Sequence, residues 1–237
     1  MTAPVRGVDV SSWQHVTDQP IDWQAVRDSG IAFALVKATQ GASYVNPWLT
    51  RDLDGARSAG LLVGAYAFAE AGSDGAAQGA HLVSELVGQV LELGCWIDWE
   101  LGVIPDWEVS ALYGAMLGAI EDARPGVGVY CGTSWLETFR RLNLTVRRLW
   151  LVDDGTGVVP PDATILQYGE GTVPGIDGAV DLDHLSSVRG FNRAPAPHPA
   201  PVAPVTAPVA PDVAETTSAV AEEREDAIAA AEASAAE

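Results

Sequence analysis

Residues 75–100 read GAAQGAHLVSELVGQVLELGCWIDWE, from Gly75 to Glu100. Gly75–Leu91 carries apolar residues at helical spacing, and Gly94 supplies a stop. Cys95–Trp99 is then a short, nearly continuous apolar run of the kind a strand buried on both faces needs. The run ends in two carboxylates, Asp98 and Glu100. The pattern is thus a helix, a glycine, and a buried strand with acids at its C-terminal end.

The same unit recurs in both directions along the chain. Further strands are expected at Gly7–Val10, Ala32–Lys37, Leu62–Ala67, Gly128–Cys131, Leu149–Val152, Thr164–Gln167 and Ala179–Leu182. Helical spacing recurs at Trp23–Asp28, Thr50–Ala59 and Val109–Ala123, and Gly30 and Gly60 close stretches as Gly94 does. Strand and helix alternating about eight times is the signature of an α/β barrel. The later connections look too short for full helices, so an irregular (β/α) barrel is expected over residues 1–193.

Composition changes at Arg193. Seven prolines fall between Pro195 and Pro211, which predicts an extended Pro/Ala-rich linker over 194–217. Residues 218–237 read as an acidic, Ala/Glu-rich helical tail. The net charge of −19 is shared unevenly: residues from Ala194 onward hold eight acids and one base, or −7, and the preceding residues hold −12. Such a chain is a poor partner for nucleic acid, which needs clustered Lys and Arg, and for anionic membrane surfaces. No apolar run reaches the roughly 18 residues needed to span a bilayer. No basic segment followed by an apolar stretch follows Met1, so synthesis in a cytoplasm without a secretory signal is expected. Cys95 and Cys131 each sit in an apolar run and are expected to be buried free thiols.

In a barrel of this kind the reacting groups stand at the C-terminal ends of strands. Asp98 and Glu100 are two apart on a strand, so they share a face, with Cα atoms roughly 6.6 Å apart. Apolar neighbours at Trp96, Ile97 and Trp99 would dehydrate them, and each would repel the other; both effects raise a carboxyl pKa. One could then hold a proton while the other stays ionised, the division that glycoside cleavage uses. Spacing alone leaves a second reading open, a strand end that merely meets solvent. Further acids at Asp9 and at Asp181-Leu182-Asp183 favour the first.

A set of short segments, taken in order, resembles glycoside hydrolase family 25, the N-acetylmuramidases of phage endolysins and bacterial autolysins. They are Gly7-Val8-Asp9-Val10-Ser11-Ser12-Trp13-Gln14, Val36-Lys37-Ala38-Thr39-Gln40-Gly41, Ala56-Arg57-Ser58-Ala59-Gly60-Leu61 and Gly64-Ala65-Tyr66. Asp98-Trp99-Glu100, Gly128-Val129-Tyr130, Leu149-Trp150, Gln167-Tyr168 and Gly178-Ala179-Val180-Asp181-Leu182 follow. The resemblance runs from Gly7 to about Gly190. It implies cleavage of the β-1,4 bond between N-acetylmuramic acid and N-acetylglucosamine in bacterial peptidoglycan, with no metal and no organic cofactor. It implies Glu100 as the acid that protonates the leaving oxygen and Asp98 as the group that orients or supports the sugar's acetamido group. Asp9 and Asp181 become the flanking carboxylates. Acetamido participation and direct attack by water are both compatible with this set.

By position, Tyr66, Phe68, Trp99, Tyr130 and Tyr168 are groove candidates, and Lys37 is expected to pair with a nearby carboxylate. Two departures border that groove: Ala67-Phe68 stands where the family often has His-Phe, and Leu151-Val152-Asp153-Asp154-Gly155 lacks the usual small residue and aromatic after Leu-Trp. The histidines have no ligand spacing, and neither a Gly-x-Ser-x-Gly elbow nor a phosphate loop occurs. Cys131 lacks a suitable histidine for peptidase chemistry. The leading reading is a phage endolysin that acts on the cell wall, reaching it through a separate pore protein rather than by membrane insertion. The competing reading is a non-catalytic glycan-binding or virion structural module on the same barrel.

Overall fold

A computed structural model describes residues 5–152 and 163–185. The expected linker over 194–217 and tail over 218–237, the boundary at Arg193, and the segment Asp153–Gly155 lie outside the described residues.

The strands are β1 (Val5–Val10), β2 (Phe33–Gln40), β3 (Tyr44–Val45), β4 (Leu62–Phe68), β5 (Gly94–Trp99), β6 (Gly128–Cys131), β7 (Leu149–Val152), β8 (Ile165–Gly171) and β9 (Val180–Leu185). Their order is β1-β9-β8-β7-β6-β5-β4-β2-β3, and an additional pairing of β1 with β2 closes the sheet. Eight strands therefore form a barrel, and the short β3 hangs from β2 through Thr39 and Gln40. The pairs from β1 to β2 and from β2 through β4 to β8 are parallel. β9 runs antiparallel to both of its neighbours. The reason lies in length: a parallel crossover needs a dozen or more residues, and the link from Gly171 to Val180 is shorter than that. As a consequence, Asp181 stands at the start of its strand rather than at its end.

Five α-helices lie among the described residues: α1 (Trp23–Asp28), α2 (Leu49–Ser58), α3 (Gly75–Glu85), α4 (Asp106–Glu121) and α5 (Thr133–Arg141). Asp22 and Asp74 cap α1 and α3 with their carboxylates. α3 stops at Glu85, short of the expected Leu91, because Gly88 takes φ +80° soon after it. α5 corrects the expectation that the later connections hold no full helix. It is nine residues long and buries only Leu136 and Phe139, too few apolar positions to set a period.

The strands separate two cores. Ala34, Val36, Ile97, Trp99 and their neighbours on the outer face pack under the helices. The inner face holds Phe33, Leu35, Tyr66, Leu93, Trp96, Tyr130, Trp150, Ile165 and Leu185. Large rings fit inside a narrow barrel because glycines face them. A Cβ on Gly7 would lie 2.2 Å from the Phe33 ring, and one on Gly128 would lie 2.2 Å from the Trp96 ring. No helix of the described residues is long and apolar enough to cross a membrane.

Candidate active site

The two-residue period of the strands carries one set of side chains into the barrel mouth. Trp96 and Trp150 meet edge to face with centroids 6.0 Å apart, and Tyr66 and Tyr130 pack on Trp150 at 5.9 and 4.6 Å. These rings form an apolar floor. Above it along the inner face stand Asp9 on β1, Asp98 on β5 and Asp181 on β9, with Glu100 just past the end of β5, while Asp183 lies one inward step below Asp181 on β9. Asp9 pairs directly with Asp181, and Gly7 pairs with Asp183.

Asp9, Asp98 and Asp183 are buried, Asp181 is half-buried, and Glu100 is exposed. Loss of hydration is the first cause of every shift here, since water is displaced by the aromatic floor and by neighbouring acids. Asp98 is raised well above the carboxylate range by burial and then by Glu100, while the Lys37 ammonium opposes the change. Asp9 is raised by burial, then by Asp183 and Asp181, against the hydrogen bond from Gln167. Burial and its acidic neighbours push Asp183 up to about 8 and Asp181 up to about 6. Although Glu100 is open to solvent on one side, protein atoms crowd its carboxyl. Desolvation raises it, the neighbouring Tyr130 hydroxyl lowers it, and Asp181 and Lys37 act in opposite directions on what remains.

Hydrogen bonds order this set. Trp150 Nε1 donates to Asp183 Oδ1 at 2.8 Å. Gln167 Nε2 donates to Asp9 Oδ2 at 3.1 Å, and the Tyr130 hydroxyl donates to Gln167 Oε1 at 2.8 Å. Lys37 Nζ donates to Gln40 Oε1 at 2.5 Å and lies 4.8 Å from the Phe68 ring centroid. Its charge acts on both Asp98 and Glu100, so it serves the pair as a cation between aromatic walls. The loop that follows Glu100 is pinned from α5: Trp135 Nε1 donates to the Leu101 carbonyl at 3.0 Å, and Arg141 grips Asp106 at 2.5 and 2.8 Å.

The structure thus brings Asp9, Asp98, Glu100 and Asp181 together, with Tyr66, Phe68 and Tyr130 on the same face. It does not bring Trp99 there. Trp99 is fully buried on the outer face against Tyr113, Trp135 and Phe139, because a residue between two inward acids must point outward. Tyr168 is also elsewhere. The register shift between Gln167 and Gly169 turns it onto His184, with ring centroids 4.0 Å apart, on the outward side of β9. Asp183 and Gln167 were legible without being singled out: Asp183 lies two residues from Asp181 and so shares its face. Both cysteines are buried, and burial pushes Cys95 up to about 11 and Cys131 up to about 12, far from a reactive thiolate.

Residues 8–171 match the family described as Glycosyl hydrolases family 25. The autolytic lysozyme of Clostridium acetobutylicum is 31% identical over 189 residues, a match that covers 77% of this chain and 56% of that protein. The chain therefore spans little more than half the length of that curated relative. Among solved structures, the bacterial lysozyme from Streptomyces coelicolor has a TM-score of 0.63 at 24% identity, over 79% of this chain and 94% of that one. The catalytic domain of a Listeria monocytogenes bacteriophage endolysin gives 0.61 at 20% identity, over 79% and 95%. At these identities the two structures speak for the fold.

Proposed function

This chain belongs to glycosyl hydrolase family 25, and from that premise we propose that its barrel mouth cleaves the β-1,4 bond between N-acetylmuramic acid and N-acetylglucosamine in bacterial peptidoglycan. One observation carries the reading. Glu100 is exposed where Asp9, Asp98 and Asp183 are buried, yet it lies within the field of Asp98 and Asp181.

Two acids so close and so poorly hydrated share one proton near neutral pH. Asp98 is buried, so a bound glycan draws that proton through Glu100. Glu100 passes it to the bridging oxygen as the bond to the anomeric carbon breaks, and N-acetylglucosamine leaves as the free alcohol. Asp98, then ionised and facing Lys37, supports the positive charge that develops on the sugar. In this reading Asp98 also holds the acetamido N–H, so that the acetamido oxygen or a water attacks the anomeric carbon. Water finally supplies the hydroxyl at that carbon and returns a proton to Glu100. Asp9 and Asp181 flank the sugar, while Tyr66, Phe68 and Tyr130 offer aromatic surface to it.

Mass spectrometry of digested peptidoglycan tests this directly, since muramic reducing ends are the expected product. Glu100→Gln should lose at least ~10²-fold in rate, as expected for removal of a general acid. Equal rates in the two proteins would overturn the assignment. A wild type that binds walls and releases nothing would leave the non-catalytic glycan-binding or virion module.

The phage endolysin setting belongs to the same proposal and draws support from the barrel shared with the Listeria phage enzyme. Its mark is lysis from within. Cells that express this chain should lyse when a separate pore protein opens the membrane and should stay intact when none does.

A further inference from the structure

On a regular strand, residues three apart point to opposite faces, yet Lys37 and Gln40 both face the barrel mouth. The register shift between Lys37 and Thr39 allows this. Lys37 pairs with Tyr66 and Gln40 with Phe68, and those two partners are neighbours on the inner face of β4. Lys37 Nζ reaches forward to donate to Gln40 Oε1 at 2.5 Å. It lies 4.8 Å from the Phe68 ring centroid and 5.5 Å from that of Tyr44. An ammonium can only donate, so the Gln40 amide must turn its oxygen to Lys37 and its nitrogen away. Gln40 Nε2 then donates to Glu70 Oε1 at 3.2 Å.

Glu70 is itself fixed from the helix layer. Its N–H donates to Gln78 Oε1 at 3.0 Å, and Gln78 Nε2 donates to its carbonyl at 2.8 Å. Gln78 is fully buried on α3. The Glu70 carboxyl lies over Gly41, where a Cβ would overlap Oε2. On the other side, Phe68 pairs with Asp98, so the ammonium stands over a ring just one strand away from that acid, roughly 4.8 Å across the sheet. Building on the acid-pair reading of Asp98 and Glu100, we propose that Gln40 is a positioning residue for Lys37: anchored by Glu70, it holds the ammonium at the height of Asp98, where the charge acts on the acid pair. The opposition of Lys37 to the rise of both acids agrees with that placement. Besides Asp98, Glu100 and Glu70, the titratable groups on the surrounding elements are Asp9 on β1, Tyr44 on β3, Tyr66 on β4 and His81 on α3, with Asp181 on β9. All of them are kept in the Gln40 and Gly41 variants below.

The test is the pH profile of kcat/KM on a soluble peptidoglycan fragment, read on the full chain. The working pair carries one proton, so a nearby cation draws both limbs of the profile to lower pH. Lys37→Met removes the cation, and both limbs should move up by about 1 unit. Gln40→Met removes the anchor but no charge. The released ammonium spreads into solvent, and the limbs should move the same way by roughly half as much. In a Lys37→Met background, Gln40→Met should move them no further. Unmoved limbs in the single variant, a shift to lower pH, or an equal shift in both backgrounds would each sink the proposal.

Gly41→Ala gives an independent reading, should Gln40→Met fold poorly. It pushes the Glu70 carboxyl aside with every charge retained, and it too should raise both limbs, again only while Lys37 is present. Limbs that stay in place would reduce the network to packing and overturn the proposal. Titration of the Asp98 and Glu100 carboxyls by carbon NMR should report the same directions without substrate. An active Glu100→Gln defeats the muramidase reading itself. An inactive one, with the limbs unmoved by Gln40→Met and Gly41→Ala, defeats only the role of Gln40.

Discussion

Trp150 and Asp183 meet at the floor of the barrel mouth, where the indole Nε1 donates to the carboxyl Oδ1 across 2.8 Å. The bond joins the apolar interior of the barrel to its ring of acids. Asp183 is fully buried, and its second oxygen has no donor of its own. A carboxyl in that position is held neutral by its surroundings, and this ties the stability of the fold to pH.

That dependence has a definite sign. Asp183 and Asp181 are raised in the folded protein to about 8 and about 6, from 3.8. The folded state therefore binds more protons than the unfolded chain, and stability falls as pH rises. The contribution is complete below the ordinary carboxylate range and is lost through pH 6 and then 8. The melting temperature should drop by roughly 4 °C or more between pH 5 and pH 8, equivalent to about 1–2 kcal/mol for a domain of this size. Asp183→Asn mimics the protonated acid, so it should flatten the slope and melt above wild type at pH 8. A profile that rises with pH would contradict the burial of these groups as neutral acids.

Asp98 should show function and stability pulling apart. It is buried, its Oδ1 has no hydrogen-bond partner, and Glu100 repels it. Asp98→Asn removes that repulsion and is expected to stabilise the fold by about 0.5–2 kcal/mol at pH 7. The same change removes the charge proposed to support the sugar, so wall hydrolysis should fall by ~10²-fold. Chemical denaturation and dye release from labelled peptidoglycan measure the two effects separately.

Trp99 tests which side of the strand faces substrate. It is fully buried against Tyr113, Trp135 and Phe139. Trp99→Ala should cost about 3–5 kcal/mol by leaving a cavity under the helices. Trp99→Phe should keep KM for soluble glycan at the wild-type value. A raised KM with an unchanged melting curve would place the ring in the groove instead.

Gly128 lets the Trp96 ring lie flat against β6. A methyl group there would stand 2.2 Å from the ring, with the barrel wall behind it. Gly128→Ala should therefore destabilise the protein by about 1–3 kcal/mol in urea titration, as overpacking does in a filled core. An exposed glycine such as Gly114, where a Cβ meets nothing within 4 Å, provides the contrast.

Much of this was legible along the chain because it depends on neighbours in sequence. Apolar runs of strand length, the stops at Gly30 and Gly60, and acids at the ends of β1 and β5 are local signals. The two-residue period already puts Asp98 with Glu100, and Asp181 with Asp183, on common faces; applied strictly, it also turns Trp99 away. Closure of the sheet decided the rest. A strand buried on both sides is apolar on both, so sequence does not say that Trp96 faces inward and Trp99 outward until β5 takes its place in the ring. The antiparallel run of β9, the partnership of Trp150 with Asp183, and the reach of Gln167 from Asp9 to Tyr130 join residues far apart in the chain. Such contacts exist only once the strands have chosen their neighbours, which is why the chain announces the acids and the barrel determines which of them keep a proton.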